Sequence, residues 1–271
     1  MVTLSTPWVM GIVNVTPDSF YAASRTPAAG GVVERVEAMV AAGVDIVDVG
    51  AASTRPGARP LAAEEEVRRL APALEAIRRR WPELLLSADT YHSSVAATCV
   101  GTFGVDMVND ISGGQYDPAM MATVGRLRVP YILMHAPAAE AGMHDSSPEA
   151  DIVCAVARHL AARTQMAHDA GIADVVVDPG FGFGKTLRQN YRLMHHLAHL
   201  RQLFAQQAML VGLSRKSMVY KLLDSTPEEA LTGTTVLHTL ALTAGADILR
   251  VHDVRAARDA VQVWQAVHRE P

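Results

Sequence analysis

The sequence predicts a (β/α)8 barrel formed by residues 1–271 as a single domain, and three observations predict it. A phrase recurs in which a helix-like segment ends in Gly and a short apolar run containing Asp follows. It reads Ala42–Gly50 (AGVDIVDVG), Gly104–Asp110 (GVDMVND), Gly171–Gly180 (GIADVVVDPG) and Gly245–Asp253 (GADILRVHD). Glycine accepts the left-handed conformation at a helix C-terminus, and a short β-branched run after it suits a strand covered on both faces. Eight such apolar runs alternate with amphipathic segments, and the length of 271 residues is close to the roughly 250 usual for this architecture. A doubly wound open sheet is the alternative for the same alternation.

Taken in order, the strands are expected near Val9–Val13, Asp45–Val49, Leu84–Ala88, Asp106–Val108, Tyr131–Met134, Asp174–Val177, Met209–Leu213 and Asp247–Val251. Between the second and third lies a helix over Ala63–Arg80, opened by Glu64, Glu65 and Glu66 and closed by Arg78, Arg79 and Arg80. That order of charges complements the helix dipole. Late apolar helices are expected over Thr232–Thr243 and Ala256–Val267. The longest irregular stretch, Ala136–Pro148, fits a βα loop better than a domain boundary.

Composition narrows the function classes. The chain has 24 basic and 28 acidic side chains, a net charge of -4, and only 5% aromatic residues. It has neither the basic stripe nor the stacking platform expected of a nucleic-acid binder. No apolar stretch reaches the roughly 18 residues of a membrane span, and Met1–Pro7 does not read as a secretion signal. Cys99 and Cys154 lie in apolar runs without metal-ligand spacing, so both are expected to be reduced core residues of a cytoplasmic protein.

Active sites of such barrels lie at the carboxyl ends of the strands, and there the sequence places polar groups at every junction. They are Asn14 and Asp18, then Ser53-Thr54-Arg55-Pro56-Gly57, Asp89-Thr90, Asn109-Asp110, His135, Asp178, Ser214-Arg215-Lys216-Ser217, and Arg250 with His252 and Asp253. The opposite loops carry mainly Gly, Asp and Ala, as connectors do. Asp89, Asn109 and Asp178 could converge on the amino and ring N–H groups of a flat heterocycle, with Lys216 meeting a ring acceptor. Asn14, Arg55, Arg250 and His252 form a cationic or neutral set suited to phosphate and a bridging Mg²⁺, which keeps several waters and needs few protein ligands. Arg250 and His252, two apart on one strand, project to the same face. The start of the eighth helix, after Asp253-Val254, adds backbone N–H groups to the anion half.

These motifs resemble the dihydropteroate synthase family of pterin-binding barrels across nearly the whole chain: Met10–Phe20 (MGIVNVTPDSF), Ser53–Gly57 (STRPG), Asn109–Gly113 (NDISG), Asp178–Lys185 (DPGFGFGK), Ser214–Ser217 (SRKS) and Arg250–Val254 (RVHDV). The resemblance implies a transferase that joins 4-aminobenzoate to 6-hydroxymethyl-7,8-dihydropterin pyrophosphate, releasing pyrophosphate and 7,8-dihydropteroate, with Mg²⁺ as cofactor, as a homodimer inhibited by sulfonamides. It implies Asn14 as the Mg²⁺ and pyrophosphate contact, Asp89, Asn109, Asp178 and Lys216 as the pterin pocket, and Arg250 and His252 as pyrophosphate anchors. Thr54, Arg55, Pro56, Phe183 and Ser214 correspond to the shell around 4-aminobenzoate, and Ile111, Met134 and Gly212 to the substrate lining. Asp89, Asp178, Lys216 and Arg250 are the expected catalytic set. The loops Thr16–Gly30 and Ala51–Arg59 are expected to close over the reacting centre.

Two stretches depart from the family. Tyr21–Arg25 (YAASR) replaces the frequent Ser-Asp-Gly-Gly, and Gly50-Ala51-Ala52-Ser53-Thr54-Arg55 replaces Gly-Gly-Glu-Ser-Thr-Arg, with loss of a carboxylate. A corrinoid-dependent methyltransferase with a similar pterin pocket leaves Ser-Thr-Arg-Pro-Gly and the Arg250/His252 pair without a purpose, and a catalytically silent pterin-binding paralogue is the alternative outside enzymology. Asp110 reads as an N-cap for the next helix. His195, His196 and His199 read as a solvated outer helix face rather than a zinc site, and Gly180–Lys185 lacks the spacing of a nucleotide loop.

Overall fold

The computed structural model describes residues 6–15, 28–52, 61–136 and 151–268. Eight parallel strands close in sequence order, β1 pairing with both β2 and β8. They are β1 Trp8–Asn14, β2 Ile46–Gly50, β3 Leu85–Asp89, β4 Met107–Asp110, β5 Tyr131–Met134, β6 Val175–Asp178, β7 Ala208–Val211 and β8 Ile248–Val251. Helices α1 (Ala28–Ala41), α2 (Ala63–Arg80), α3 (Ser93–Phe103), α4 (Met120–Leu127) and α5 (Ile152–Asp169) follow the first five strands. The sixth crossover is split into α6 (Leu187–His195) and α7 (Leu197–Leu203). The seventh carries the short α8 (Ser217–Tyr220) and then α9 (Leu231–Thr243), and α10 (Val254–His268) closes the ring.

All eight expected strands are present, in a barrel and not an open sheet. The main departure at their boundaries is instructive, because Asp45, Asp106, Asp174 and Asp247 stand just before β2, β4, β6 and β8 instead of inside them. Three of them share one arrangement. The Asp45 carboxylate accepts from the Val9 N–H and from Arg258. Asp106 accepts from Leu86 N–H at 2.8 Å and Arg78 at 2.8 Å. Asp247 accepts from Met209 N–H at 2.8 Å and faces Arg201 at 3.2 Å. Each satisfies a strand-end N–H that lacks a ladder partner and fastens a helix to it.

Side chains alternate along each strand. Val9, Val47, Val49, Leu86, Val108, Leu133, Val177 and Leu249 face the helices and join the large outer core. Met10, Ile46, Met107, Ile132, Leu210 and Ile248 fill the barrel interior with Trp8, Leu85 and Val176 against them. Above this apolar plug, the next inward positions are Asp48, Ser87, Asn109, Asp178, Gly212 and Arg250, with Ile12 of β1 and Met134 of β5 completing the ring. The plug is thus the floor of a polar layer.

Two expectations are corrected here. Cys154 is exposed, unlike the buried Cys99. On α5 the inward face is made by Ile152, Val153, Val156 and Leu160, a helical spacing that turns Cys154 outward. Asp110 caps no helix, because α4 begins ten residues later, at Met120. Its carboxylate instead accepts from Ser112 N–H, Ser112 Oγ, Gly114 N–H and the Tyr131 hydroxyl at 2.6–2.8 Å, organising the turn after β4.

Candidate active site

The polar layer is held together by Arg250 of β8. Its Nε donates to Asp48 Oδ2 at 2.7 Å and its Nη2 to Asp89 Oδ2 at 2.6 Å. Asn109 Nδ2 donates to the same Asp48 oxygen at 2.9 Å. Asp48 is fully buried, its Oδ1 has no hydrogen-bond partner among the described residues, and neither has the buried Ser87 Oγ. Buried acceptors without donors are uncommon in folded proteins and mark a place where a ligand or water completes the network.

Glycines open the space beside these groups. A Cβ on Gly50 would lie 3.1 Å from Asp89 Cβ, and one on Gly212 would lie 3.7 Å from Lys216 Nζ. Across the barrel, Asp178 at the end of β6 accepts from Gly180 N–H at 2.7 Å. Lys216 donates to the Phe181 carbonyl at 2.5 Å and rests 4.7 Å from the centre of the Phe183 ring. Ile111, Met134 and Ala136, with Tyr91 and Phe183 packed on them, form a separate apolar wall.

Charge is finely poised in this pocket. Burial raises the pKa of Asp89 to about 7 against the pull of Arg250, and Asp48, Glu66 and Asp110 add repulsion. Burial likewise raises Asp178, opposed by Lys216 and the Gly180 N–H. Lys216 falls to about 8 through desolvation, with Asp178 opposing and Arg250 contributing. Lys185 falls to about 7, mainly through burial, with Asp178 opposing and Lys216 adding to the fall. A pocket that holds several groups near their midpoints is the electrostatic mark of a functional site.

A family model described as "Pterin binding enzyme" matches residues 10–252. Dihydropteroate synthase from Escherichia coli strain K12 is 37% identical over 97% of this chain and 92% of its own length, and that of Synechocystis is 36% identical over 97% and 90%. The chain belongs to the dihydropteroate synthases. Dihydropteroate synthase from Xanthomonas albilineans, solved with 4-aminobenzoic acid, superposes with a TM-score of 0.91 at 40% identity, covering 100% of this chain and 96% of that one. The same enzyme solved with 7,8-dihydropteroate gives 0.88 at 38% identity, covering 100% and 97%.

Of the residues expected to form the pterin pocket, Asp89, Asn109, Ile111, Met134, Asp178, Phe183, Gly212 and Lys216 lie in one region at the carboxyl ends of the strands. Arg250 was expected with the diphosphate, yet its side chain lies in the polar layer on Asp48 and Asp89. Asn14 is exposed at the end of β1. His252 is also exposed, its N–H donating to the Oγ of buried Ser214 at 3.1 Å. Thr54, Arg55 and Pro56, with most of the loops Thr16–Gly30 and Ala51–Arg59, lie outside the described residues, as do Tyr21–Arg25. The sequence reading missed Asp48, although Ile46, Asp48 and Gly50 follow the inward period of two, which puts a charge inside a barrel. It also missed Lys185, whose glycine-rich neighbourhood resembles an exposed turn.

Proposed function

We propose that this chain condenses 6-hydroxymethyl-7,8-dihydropterin pyrophosphate with 4-aminobenzoate to give 7,8-dihydropteroate and pyrophosphate, as a transferase of folate biosynthesis. The observation that carries the reading is the incompletely satisfied carboxylate layer, Asp48, Asp89 and Asp178, beside the Ile111–Met134–Phe183 wall. A pterin ring presents an amino group and ring N–H groups along one edge, and these are the donors the layer lacks.

The reaction replaces a C–O bond to pyrophosphate on the exocyclic CH₂ by a C–N bond to the arylamine, which then loses a proton. The electron-rich dihydropterin delocalises positive charge from that carbon, so departure of pyrophosphate before attack is favoured. Asp89 and Asp178 stabilise the cationic ring, and Lys216 meets an acceptor on it. An arylamine is nucleophilic as the free base, so orientation matters more than a strong general base. Arg250, at the junction of the two halves, donates to both Asp48 and Asp89 while adding positive potential toward the departing diphosphate. The exposed His252, the N-terminus of α10 and Asn14 border the side where that anion sits.

Mg²⁺ is the cofactor we infer. Asn14, exposed at the end of β1, would hold it together with the substrate's diphosphate, since Mg²⁺ needs few protein ligands. When bound it neutralises charge on the leaving group. The 4-aminobenzoate subsite combines Phe183 and Ser214 with Thr54, Arg55 and Pro56, and sulfonamides are expected to compete there; a dihydropteroate synthase from Yersinia pestis has been solved with a sulfonamide drug.

We further infer a cytoplasmic homodimer. Both cysteines are free thiols and no helix among the described residues is long and apolar enough to cross a membrane. Val236, Leu240, Val263 and Val267 leave an exposed apolar stripe on α9 and α10, a self-complementary surface for a two-fold partner. Purified protein given both substrates and Mg²⁺ is expected to form dihydropteroate and release pyrophosphate. Pterin binding without product would identify a silent paralogue instead.

A further inference from the structure

The turn from β6 to α6 bends through three glycines with positive φ, Gly180 (+69°), Gly182 (+83°) and Gly184 (+55°). Such a backbone has little preference of its own and must be pinned from outside. At Gly180 the approach is so close that a Cβ would meet the His135 carbonyl at 2.0 Å. Side chains supply the pins. Asn190 of α6 accepts from Gly182 N–H at 2.7 Å and donates to the Lys185 carbonyl at 3.0 Å. Lys185 itself turns inward and is 9% exposed. Its Nζ reaches the Gly180 carbonyl at 2.6 Å, the Phe183 carbonyl at 3.1 Å and His135 Nδ1 at 2.9 Å.

Those three acceptors match the three N–H groups of an ammonium. His135 is suited to accept, since burial and then the neighbouring Lys185 charge hold its imidazole neutral, with a pKa lowered to about 2. Burying an amine is unfavourable unless every donor is used, so a lysine placed here is a costly way to fill space. Between its two carbonyl partners lies Phe181, whose own carbonyl accepts from Lys216 Nζ, and the following Phe183 ring lies beneath that same nitrogen.

We propose that Lys185 is a positioning residue for the pterin pocket: it pins the Gly180–Phe183 turn so that the Phe181 carbonyl and the Phe183 ring hold the Lys216 ammonium where the ring acceptor arrives. This rests on the pterin reading above. Lys185 touches no substrate and acts through Lys216.

A double-mutant cycle on pterin affinity tests it, with 6-hydroxymethyl-7,8-dihydropterin pyrophosphate titrated calorimetrically into wild type, Lys185→Met, Lys216→Met and the double variant. Losing hydrogen bonds from a charged donor is expected to weaken binding about tenfold in the otherwise wild-type protein. In the Lys216→Met background the same change is expected to cost less than about twofold, because the group being positioned is gone. Equal losses in both backgrounds, or no loss in either, overturn the inference. Should Lys185→Met fail to fold, Lys185→Gln keeps two N–H groups for the two carbonyls, and the cycle is expected to show a loss of about threefold that vanishes with Lys216. Absence of binding by the wild-type protein overturns the pterin reading and this inference with it; wild-type binding with an additive cycle overturns only the role of Lys185.

Discussion

At the amino-terminal rim, Asp106 takes one backbone N–H and one guanidinium, and Asp45 and Asp247 repeat the arrangement with Arg258 and Arg201. At the carboxyl-terminal rim, Asp48 and Asp89 divide a single guanidinium between them, and Asp48 retains an oxygen with no partner. Both rims are built from Asp and Arg, the arginines coming from helices α2, α7 and α10 at one end and from strand β8 at the other. They differ in supply: donors match acceptors at one end, while acceptors outnumber donors in a desolvated layer at the other. Matched pairs at a half-exposed edge fasten helices to strands. An unmatched buried layer destabilises the empty protein and stabilises whatever brings N–H groups into it.

The sharpest way to break this contrast is to remove one carboxylate charge at each rim. Asp178→Asn is expected to lower kcat by about 10²–10³ with the fold retained, since it removes a charge aimed at the cationic ring. Asp247→Asn is expected to leave kcat within about twofold while lowering the melting temperature. Steady-state assays with circular dichroism melts read both, and equal kinetic losses at the two rims contradict the division of labour.

Proton linkage gives the next largest effect. Asp89, brought to about 7 chiefly by burial, offers both oxygens and a full charge to ring N–H groups only when ionised. Pterin affinity is therefore expected to fall as pH is lowered through 7, approaching tenfold per unit below it, and Asp89→Asn is expected to flatten that limb. Calorimetric titrations on either side of pH 7 check it; a pH-independent wild-type affinity counts against the assignment. In the apoprotein the sign is opposite for folding. The folded group keeps its proton up to about 7 and the unfolded one releases it near 4, so this group's contribution to stability declines as pH rises across that window.

Smaller effects sharpen the comparison further. Asp48→Asn keeps one oxygen for Arg250 and Asn109 and replaces the oxygen that has no partner in the empty pocket, so pterin affinity is expected to drop about tenfold while the apoprotein loses little stability. Arg78→Ala is expected to do the reverse. Its guanidinium reaches the carbonyls of Pro82, Leu84 and Gly104 as well as Asp106, and its loss is expected to cost about 1–2 kcal/mol in denaturant unfolding with turnover unchanged. A kinetic defect in Arg78→Ala, or a stability loss in Asp48→Asn as large as that of Arg78→Ala, would blur the two rims.

The barrel was legible because its signals are local. Glycine at helix ends and β-branched runs after it mark αβ junctions whatever the tertiary context, and Glu64–Glu66 with Arg78–Arg80 bracket α2 as written. Asp89, Asn109 and Asp178 could be placed at the carboxyl rim from sequence because each lies at or beside the end of a strand, where the fold gathers polar groups. Other features depend on partners far away in the chain. Arg250 could be placed on β8 from sequence, but its engagement by Asp48 and Asp89, 202 and 161 residues earlier, follows only from closure of the cylinder. Lys185 sits in a glycine run that reads as exposed, and only His135, 50 residues earlier, explains why it turns inward. The outward turn of Cys154 needed the phase of α5, which an apolar run of five residues does not reveal.

A crystal structure with bound 6-hydroxymethylpterin tests the central claim most directly. The ring is expected beside Phe183, its amino and ring N–H edge within hydrogen-bonding distance of Asp89 and Asp178, and a donor or water on Asp48 Oδ1. Pterin bound elsewhere, for instance in the groove of about 390 Å³ lined by Cys154, Arg192, His196 and His199, with the carboxylate layer untouched, would contradict it.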